Sequence, residues 1–447
     1  MAVSEGAGPT AAEDRAEKAR EGEHTMAVRV VRWLLAGLVA VLGPGVAAAQ
    51  APVTVRFYLP GAGMPTHTEP FERAVEAWNR DQNAVRVQLS IFGWGEIQTK
   101  VLTELAAGIG PDLWMHGGAA AALFASTGEA LPLDAYLRRW GKARDFYERL
   151  LEEVTYQGRV YAVPLQASTI GPLFYRKDLF REVGLDPNRP PQDWWSLKEA
   201  ARRLTRYDGP RLVRAGFFVP YEGHYAQQIW ATFLWANGGE ILTRDGRRAA
   251  FASPEGVEAL EYYASFVRER IFLPGVIESA PQIPHVVTGR VAMGPGGSFD
   301  VGTMEKLAAP EVYEQIAVAL PVAGRAGRAA LAGQNVLFLS RRSRNPDATW
   351  RFVEYLLRDD VHRELLAHAG FMPVRRSQEG AAYLRSNWRY PVFAGAMRWA
   401  RGNPNIPRWI EVRTRIVRAI EEAVQGRKTA RQALEDAARD VNAILAR

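Results

Sequence analysis

The sequence predicts an α/β fold, and three observations predict it. Runs rich in β-branched residues at 53–59 and 85–92 each precede a stretch of helical periodicity, at 69–81 and 96–107. The same alternation restarts at 173–175 and 177–183. A composition that is 47% hydrophobic and 23% charged over 447 residues is that of a globular chain with two or three domains and a sizeable core.

The elements follow in order. Residues 53–59 form a strand. The helix 69–81 carries Pro70 in its first turn and sets Phe71, Val75 and Trp78 on one face. Val85, Val87, Leu89 and Ile91 alternate along the next strand. A helix over 96–107 stops at Gly108, and 112–115 is a third strand. This order implies a mainly parallel sheet with helices on both faces, and the loops after Leu59, Phe92 and Met115 then share one rim, where such sheets bind ligands. Residues 156–161 read as a hairpin. Further on, 197–204 is helical. Ser253-Pro254-Glu255 starts another helix with a hydroxyl cap, a proline and an acid. Residues 336–339 form a buried strand, 347–357 an amphipathic helix, and 410–445 two helices broken near Gly426.

Composition excludes several classes. The chain has no cysteine, so it has no disulfide framework, thiol chemistry, thiolate metal site or lipid-modified cysteine anchor. Its net charge is +7, from 49 arginines and 7 lysines against 49 acids. The charges are interleaved and no run of five basic residues occurs, a pattern of ion-paired surface rather than nucleic-acid binding. Residues 28–49 read as a cleavable export signal: Arg29 and Arg32, an apolar run over 33–41, then Ala47-Ala48-Ala49, with Gln50 first in the mature chain. The apolar run is too short to span a bilayer. Residues 1–25 are a polar, dispensable extension, and translation is expected to begin at Met26.

Six segments carry a resemblance. They are Gly108-Ile109-Gly110-Pro111-Asp112; Gly158-Arg159-Val160-Tyr161-Ala162-Val163-Pro164; the stretch 173–180 with Gly184-Leu185-Asp186; Gly289-Arg290-Val291-Ala292-Met293; Phe371-Met372-Pro373-Val374-Arg375; and Gly426-Arg427-Lys428-Thr429 with Ala433-Leu434. In this order they resemble the sugar-type extracellular solute-binding proteins of ABC importers, the maltose-binding and glycerol-3-phosphate-binding kind. The resemblance implies the two-lobed periplasmic binding protein fold, α/β in each lobe, with hinge strands and a ligand cleft between lobes. It places the first lobe at 50–166 and 333–373 and the second at 167–332 and 374–447. The crossings fall near 164–169, 330–334 and 371–376.

Binding a polyol calls for aromatic faces and convergent polar groups. Trp94 follows a strand between two glycines. Tyr175 ends a strand of the second half. Gly297, Ser298 and Phe299 lie in a glycine-rich turn before a helix, whose backbone N–H groups suit a hydroxyl or an anion. His116 stands where the family often has an acid. Ser168 lies at the expected hinge, and Tyr225 and Asn335 come from corresponding loops. Arg401, with Arg398 as its rival, falls near an arginine of the glycerol-3-phosphate branch. No catalytic, metal or cofactor set is expected: the chain lacks a His-Glu-x-x-His motif, a Gly-x-Ser-x-Gly elbow and a phosphate loop, and its seven histidines are scattered. The expected function is capture of a sugar or oligosaccharide by lobe closure and its delivery to a membrane permease, by a periplasmic monomer. A glycerol-3-phosphate or phosphodiester ligand is the second reading, and a secreted carbohydrate-active enzyme the rival of another class.

Overall fold

A computed structural model describes residues 51–276 and 286–447. The export signal, its cleavage point and the alternative start at Met26 lie outside the described residues. The strands are β1 (Val53–Pro60), β2 (Val85–Phe92), β3 (Leu113–Gly117), β4 (Thr155–Tyr156), β5 (Arg159–Val160), β6 (Val163–Arg176), β7 (Arg206–Asp208), β8 (Arg211–Arg214), β9 (Met293–Gly297), β10 (Ile316–Ala319), β11 (Ala330–Leu339) and β12 (Ala400–Arg401). The main sheet runs β10-β6-β11-β3-β1-β2, with β9 on β6 and β12 on β11.

The sheet is mixed, which corrects the mainly parallel expectation. β1 lies parallel to β2 and β3, because helices Pro65–Asp81 and Ile97–Ala106 return the chain each time. β11 runs antiparallel to β3 and β6, and β6 antiparallel to β9 and β10. The C-terminal ends of β1, β2 and β3 do share one rim. There the Gly61 and Ala62 N–H groups both donate to the Phe92 carbonyl.

The strand expected at 173–175 is the end of a 14-residue strand, and the one at 336–339 is the end of β11. Polar residues hide the middle of both strands. Gln166 accepts from Asn335 Nδ2 at 3.0 Å, and Ser168 Oγ donates to the Gly333 carbonyl at 3.5 Å. Buried polar groups of this kind hold their place in a strand only because partners satisfy them. The two strands pair from Val163↔Leu337 to Ile170↔Leu331. A third segment joins them where Ala167 and Met372 exchange backbone hydrogen bonds at 3.0 and 2.7 Å.

Each long strand serves two cores. Val163, Leu165 and Leu337 pack with β1, β3 and the helices Pro65–Asp81 and Pro346–Leu356. Ile170, Leu173 and Leu331 pack with helices Gly223–Ala236, Pro254–Arg268, Trp409–Val424 and Ala430–Leu445. The apolar stripes of these helices decide which core they join, as the buried set Trp409, Val412, Ile416, Ala419 and Ile420 illustrates.

Local signals set most boundaries. Ser253 Oγ accepts from the Gly256 N–H, as its position before Pro254 predicts. An Asp193–Ser196 capping box starts the helix Trp194–Leu204 three residues before the expected Leu197. The first helix starts at Pro65, so Pro70 lies inside it rather than in its first turn. Gln157 and Gly158 have φ of +48° and +74°, the left-handed pair a two-residue hairpin needs. The glycine-rich stretch expected as a turn is β9 itself, and the helix Phe299–Leu307 follows almost at once.

Candidate functional site

Trp94 stands half-buried on the rim loop after β2. Three imidazoles surround its indole. His67, on the first helix, lies 6.2 Å away between ring centroids; His116, at the end of β3, 6.4 Å; and His224, at the start of helix Gly223–Ala236, 6.3 Å. The first two belong to elements of one core and His224 to an element of the other. The indole therefore sits where the two cores face each other.

Contacts flank this point. Thr66 and Thr303 hydroxyls meet at 3.2 Å, and Phe299 lies 5.7 Å from Phe371. Asn405 Oδ1 accepts from the Ala122 N–H at 3.2 Å while its Nδ2 donates to the Thr155 carbonyl at 2.9 Å.

The imidazoles are held neutral. Burial lowers His67 to about 4, with the Pro60 carbonyl opposing. Burial also lowers His116 and His224 to about 4, and the positive charge of Arg413 adds to both. Arg413 is half-buried on helix Trp409–Val424, and burial lowers it to about 10. Two carboxyl groups on nearby elements are shifted the other way. Burial raises Asp300 to about 7, although its Oδ2 accepts the Gly297 N–H at 2.8 Å. Burial raises Glu153 to about 7, although Gln334 Nε2 donates to it at 2.6 Å. Neutral imidazoles offer one donor and one acceptor each, which suits hydroxyls flanking an aromatic face.

The sequence candidates divide. Trp94 and His116 come together at the rim. Tyr225 is next to His224, and its hydroxyl donates to the Pro295 carbonyl at 3.3 Å, tying that helix to β9. Ser298 Oγ is buried and makes no hydrogen bond. The Gly297 N–H is taken by Asp300, so it is not an open donor. Phe299 packs on Phe371. Ser168 and Asn335 bond within the paired strands.

Two candidates are withdrawn. Tyr175 is a core tyrosine: it stacks near Phe180 at 5.0 Å and donates to the Pro187 carbonyl at 3.0 Å. Arg401 is paired with Glu240 and lies over the Trp235 ring at 5.0 Å. Its rival Arg398 donates to the Gly395 carbonyl and lies over Trp399.

His67, His224, Asp300 and Arg413 were not foreseen. His224 adjoins the chosen Tyr225, so a search one residue wider finds it. Nothing in the sequence separates Arg413 from 48 other arginines.

The chain and its fold have counterparts. The family of bacterial extracellular solute-binding proteins matches residues 65–362. A binding protein of Brucella abortus (strain 2308) is 26% identical over 415 residues, 92% of this chain and 97% of its own length. The maltotriose-binding protein of Pyrococcus abyssi (strain GE5 / Orsay) is 22% identical over 75% of this chain and 70% of its own. An ABC transporter solute-binding protein of Thermotoga lettingae, solved with alpha-D-tagatose bound, superposes with a TM-score of 0.80 at 26% identity, covering 88% of this chain and 100% of that one. The two-lobed α/β fold that the six motifs implied is the fold of such structures.

Proposed function

This chain belongs to the bacterial extracellular solute-binding proteins, and we propose that it is the substrate-binding component of an ABC importer for a carbohydrate. The observation that carries this reading is Trp94, an exposed-edge aromatic with imidazoles from both cores around it. A sugar's C–H face packs on the indole, and its hydroxyls meet the neutral imidazoles. The maltotriose and tagatose of two similar proteins support the ligand class.

The lobes are assigned as 50–166 with 333–373, and 167–332 with 374–447. The division of the cores along β6 and β11 supports crossings in those two strands, although Ala167 and Val374 pack with the first core. Binding closes the lobes about those strands, a motion of the hinge kind, and the closed face is what a permease reads. The family's extracellular character supports export to the periplasm, with release by cleavage before Gln50, which N-terminal sequencing of the exported chain checks; the protein is taken to act as a monomer, which its sedimentation tests.

The protein binds without turnover. The two raised carboxyl groups, Asp300 and Glu153, each hold an internal hydrogen bond. A hydrolase instead needs one carboxyl free to donate and a second placed across the bond.

A thermal-shift screen against mono- and oligosaccharides tests the function. A ligand at 100 times its Kd stabilises the protein by about 2.7 kcal/mol, a rise of a few degrees in Tm. The expected result is a hit that is recovered chemically unchanged. New reducing ends would establish the enzyme reading instead, and folded protein with no hit among carbohydrates would overturn the ligand class.

A further inference from the structure

Arg413 stands apart from the other arginines. Along the same helix and its approach, Arg408 pairs Glu411 at 2.8 Å, Arg415 pairs Asp440 at 3.5 Å and Arg418 pairs Glu422 at 3.1 Å. Among the described residues, Arg413 is the one arginine that is not exposed and makes neither a hydrogen bond nor an ion pair. Its guanidinium still reaches solvent, so water rather than a carboxylate or a carbonyl fan satisfies it. Its position accounts for the omission. Helix Trp409–Val424 packs along helix Gly223–Ala236, whose first turn holds His224, and against the turn Gly118–Ala120 just after His116, and the charge of Arg413 is felt at both of these imidazoles, which flank Trp94 from opposite cores.

The other titratable groups nearby do not neutralise it. His67, His116 and His224 are uncharged, and the Asp300 carboxyl is turned to the Gly297 N–H. The surroundings of Trp94 thus combine one unpaired guanidinium, with five N–H donors in a fork, and an aromatic face, while the carboxyl groups on nearby elements, Asp300 and Glu153, are raised to about 7 by burial and hold internal hydrogen bonds instead of pairing with it.

We infer that the ligand is an acidic sugar, whose carboxylate or phosphate is held by Arg413 while its ring packs on Trp94. This rests on the carbohydrate-binding reading above and narrows it. The anion supplies the partner that the fold omits. Bidentate pairing fixes the orientation of the sugar, and His116 and His224 bond the neighbouring oxygens. The arginine candidates read from the sequence, Arg401 and Arg398, do not serve this role, because both already have partners.

Calorimetry on the purified protein tests the inference. The probes are hexuronates, oligouronides and hexose phosphates, each beside its neutral parent sugar, in low and high salt. The expected result is an acidic sugar binding at least 10-fold tighter than its neutral parent, with the margin shrinking in 0.5 M salt. Arg413→Gln should erase the preference, so that the acidic sugar binds no tighter than its neutral parent. Its melting temperature should stay the same or rise, because no internal partner is lost. Arg413→Lys should keep part of the preference. Whether uronates or phosphates win identifies the source of the anion. Neutral sugars binding as tightly as acidic ones, or an acid preference that survives Arg413→Gln, would overturn the inference and leave the carbohydrate reading intact. Silence from every sugar, acidic and neutral, would remove both.

Discussion

Lowering the pH from 7.5 to 4.5 is expected to destabilise this protein by a few kcal/mol, mainly through four histidines that the fold holds neutral. His67, His116, His224 and His362 are each held near a pKa of about 4 in the folded chain, against 6.5 for a free imidazole. Between those values the unfolded chain binds protons that the folded chain refuses. Stability is therefore fully present above about pH 6.5 and falls as the pH drops toward 4. Each fully buried imidazole contributes up to about 3 kcal/mol over that window, at 1.36 kcal/mol per unit.

His362 makes the mechanism explicit. Its Nε2 faces the Leu165 carbonyl at 2.6 Å and its Nδ1 faces Arg375 Nη2 at 3.2 Å. The neutral ring donates from Nε2 and accepts at Nδ1. A second proton would set an N–H against a guanidinium donor. That guanidinium is itself buried and paired with Asp359 at 2.9 Å, so it cannot turn away without losing its anion.

Asp300 and Glu153 oppose the trend. Their raised pKa values mean that the folded chain binds protons first, so acidification from pH 7 favours folding through them. Two raised carboxyl groups offset only part of what four lowered imidazoles contribute, so the sum is a loss on acidification. Urea unfolding at pH 7.5, 6 and 5 measures the sum. His362→Gln should lower stability at pH 7.5 and flatten the slope by about one proton, roughly 1.4 kcal/mol per pH unit in the steep region. Equal midpoints at pH 7.5 and 5 in the parent protein would sink the argument.

Trp94→Ala is expected to weaken sugar binding by roughly 10- to 100-fold, or about 1.4–2.7 kcal/mol, with little effect on folding. The indole is half-buried and its nearest rings are the imidazoles around it, so truncation removes contact area at the cleft rather than in a core. Trp94→Phe should keep most of the affinity, because an aromatic face remains. Calorimetry with the sugar found by screening gives the affinity, and a melting curve gives the stability. A change confined to melting temperature, with affinity intact, would move the binding surface away from the rim.

Much of this molecule is legible in one dimension. Local spacing placed β1, β2, the β4–β5 hairpin, the Ser253 cap and the two C-terminal helices to within a few residues. These are patterns of period 2 and 3.6 and of turn chemistry, which neighbours along the chain decide. Six motifs in order were enough for the family and its two-lobed fold. Trp94 and His116 could be singled out because they follow strands whose ends share a rim.

The rest depended on residues far apart in sequence. β6 reads as a strand only at its end, because Gln166 and Ser168 break the apolar pattern and find their partners 165 or more residues away. The sheet's direction changes at β11 because that strand returns from a long excursion rather than through one helix. Tyr175 and Arg401 look like ligand groups until a carbonyl and a carboxylate are seen to occupy them. Arg413 looks like every other arginine until it is seen to have no partner. Composition and periodicity fix which elements form, since those forces act within a few residues. Which polar groups are satisfied, and which are left for a ligand, is a matter of what lies across the cleft, and tertiary packing alone decides that.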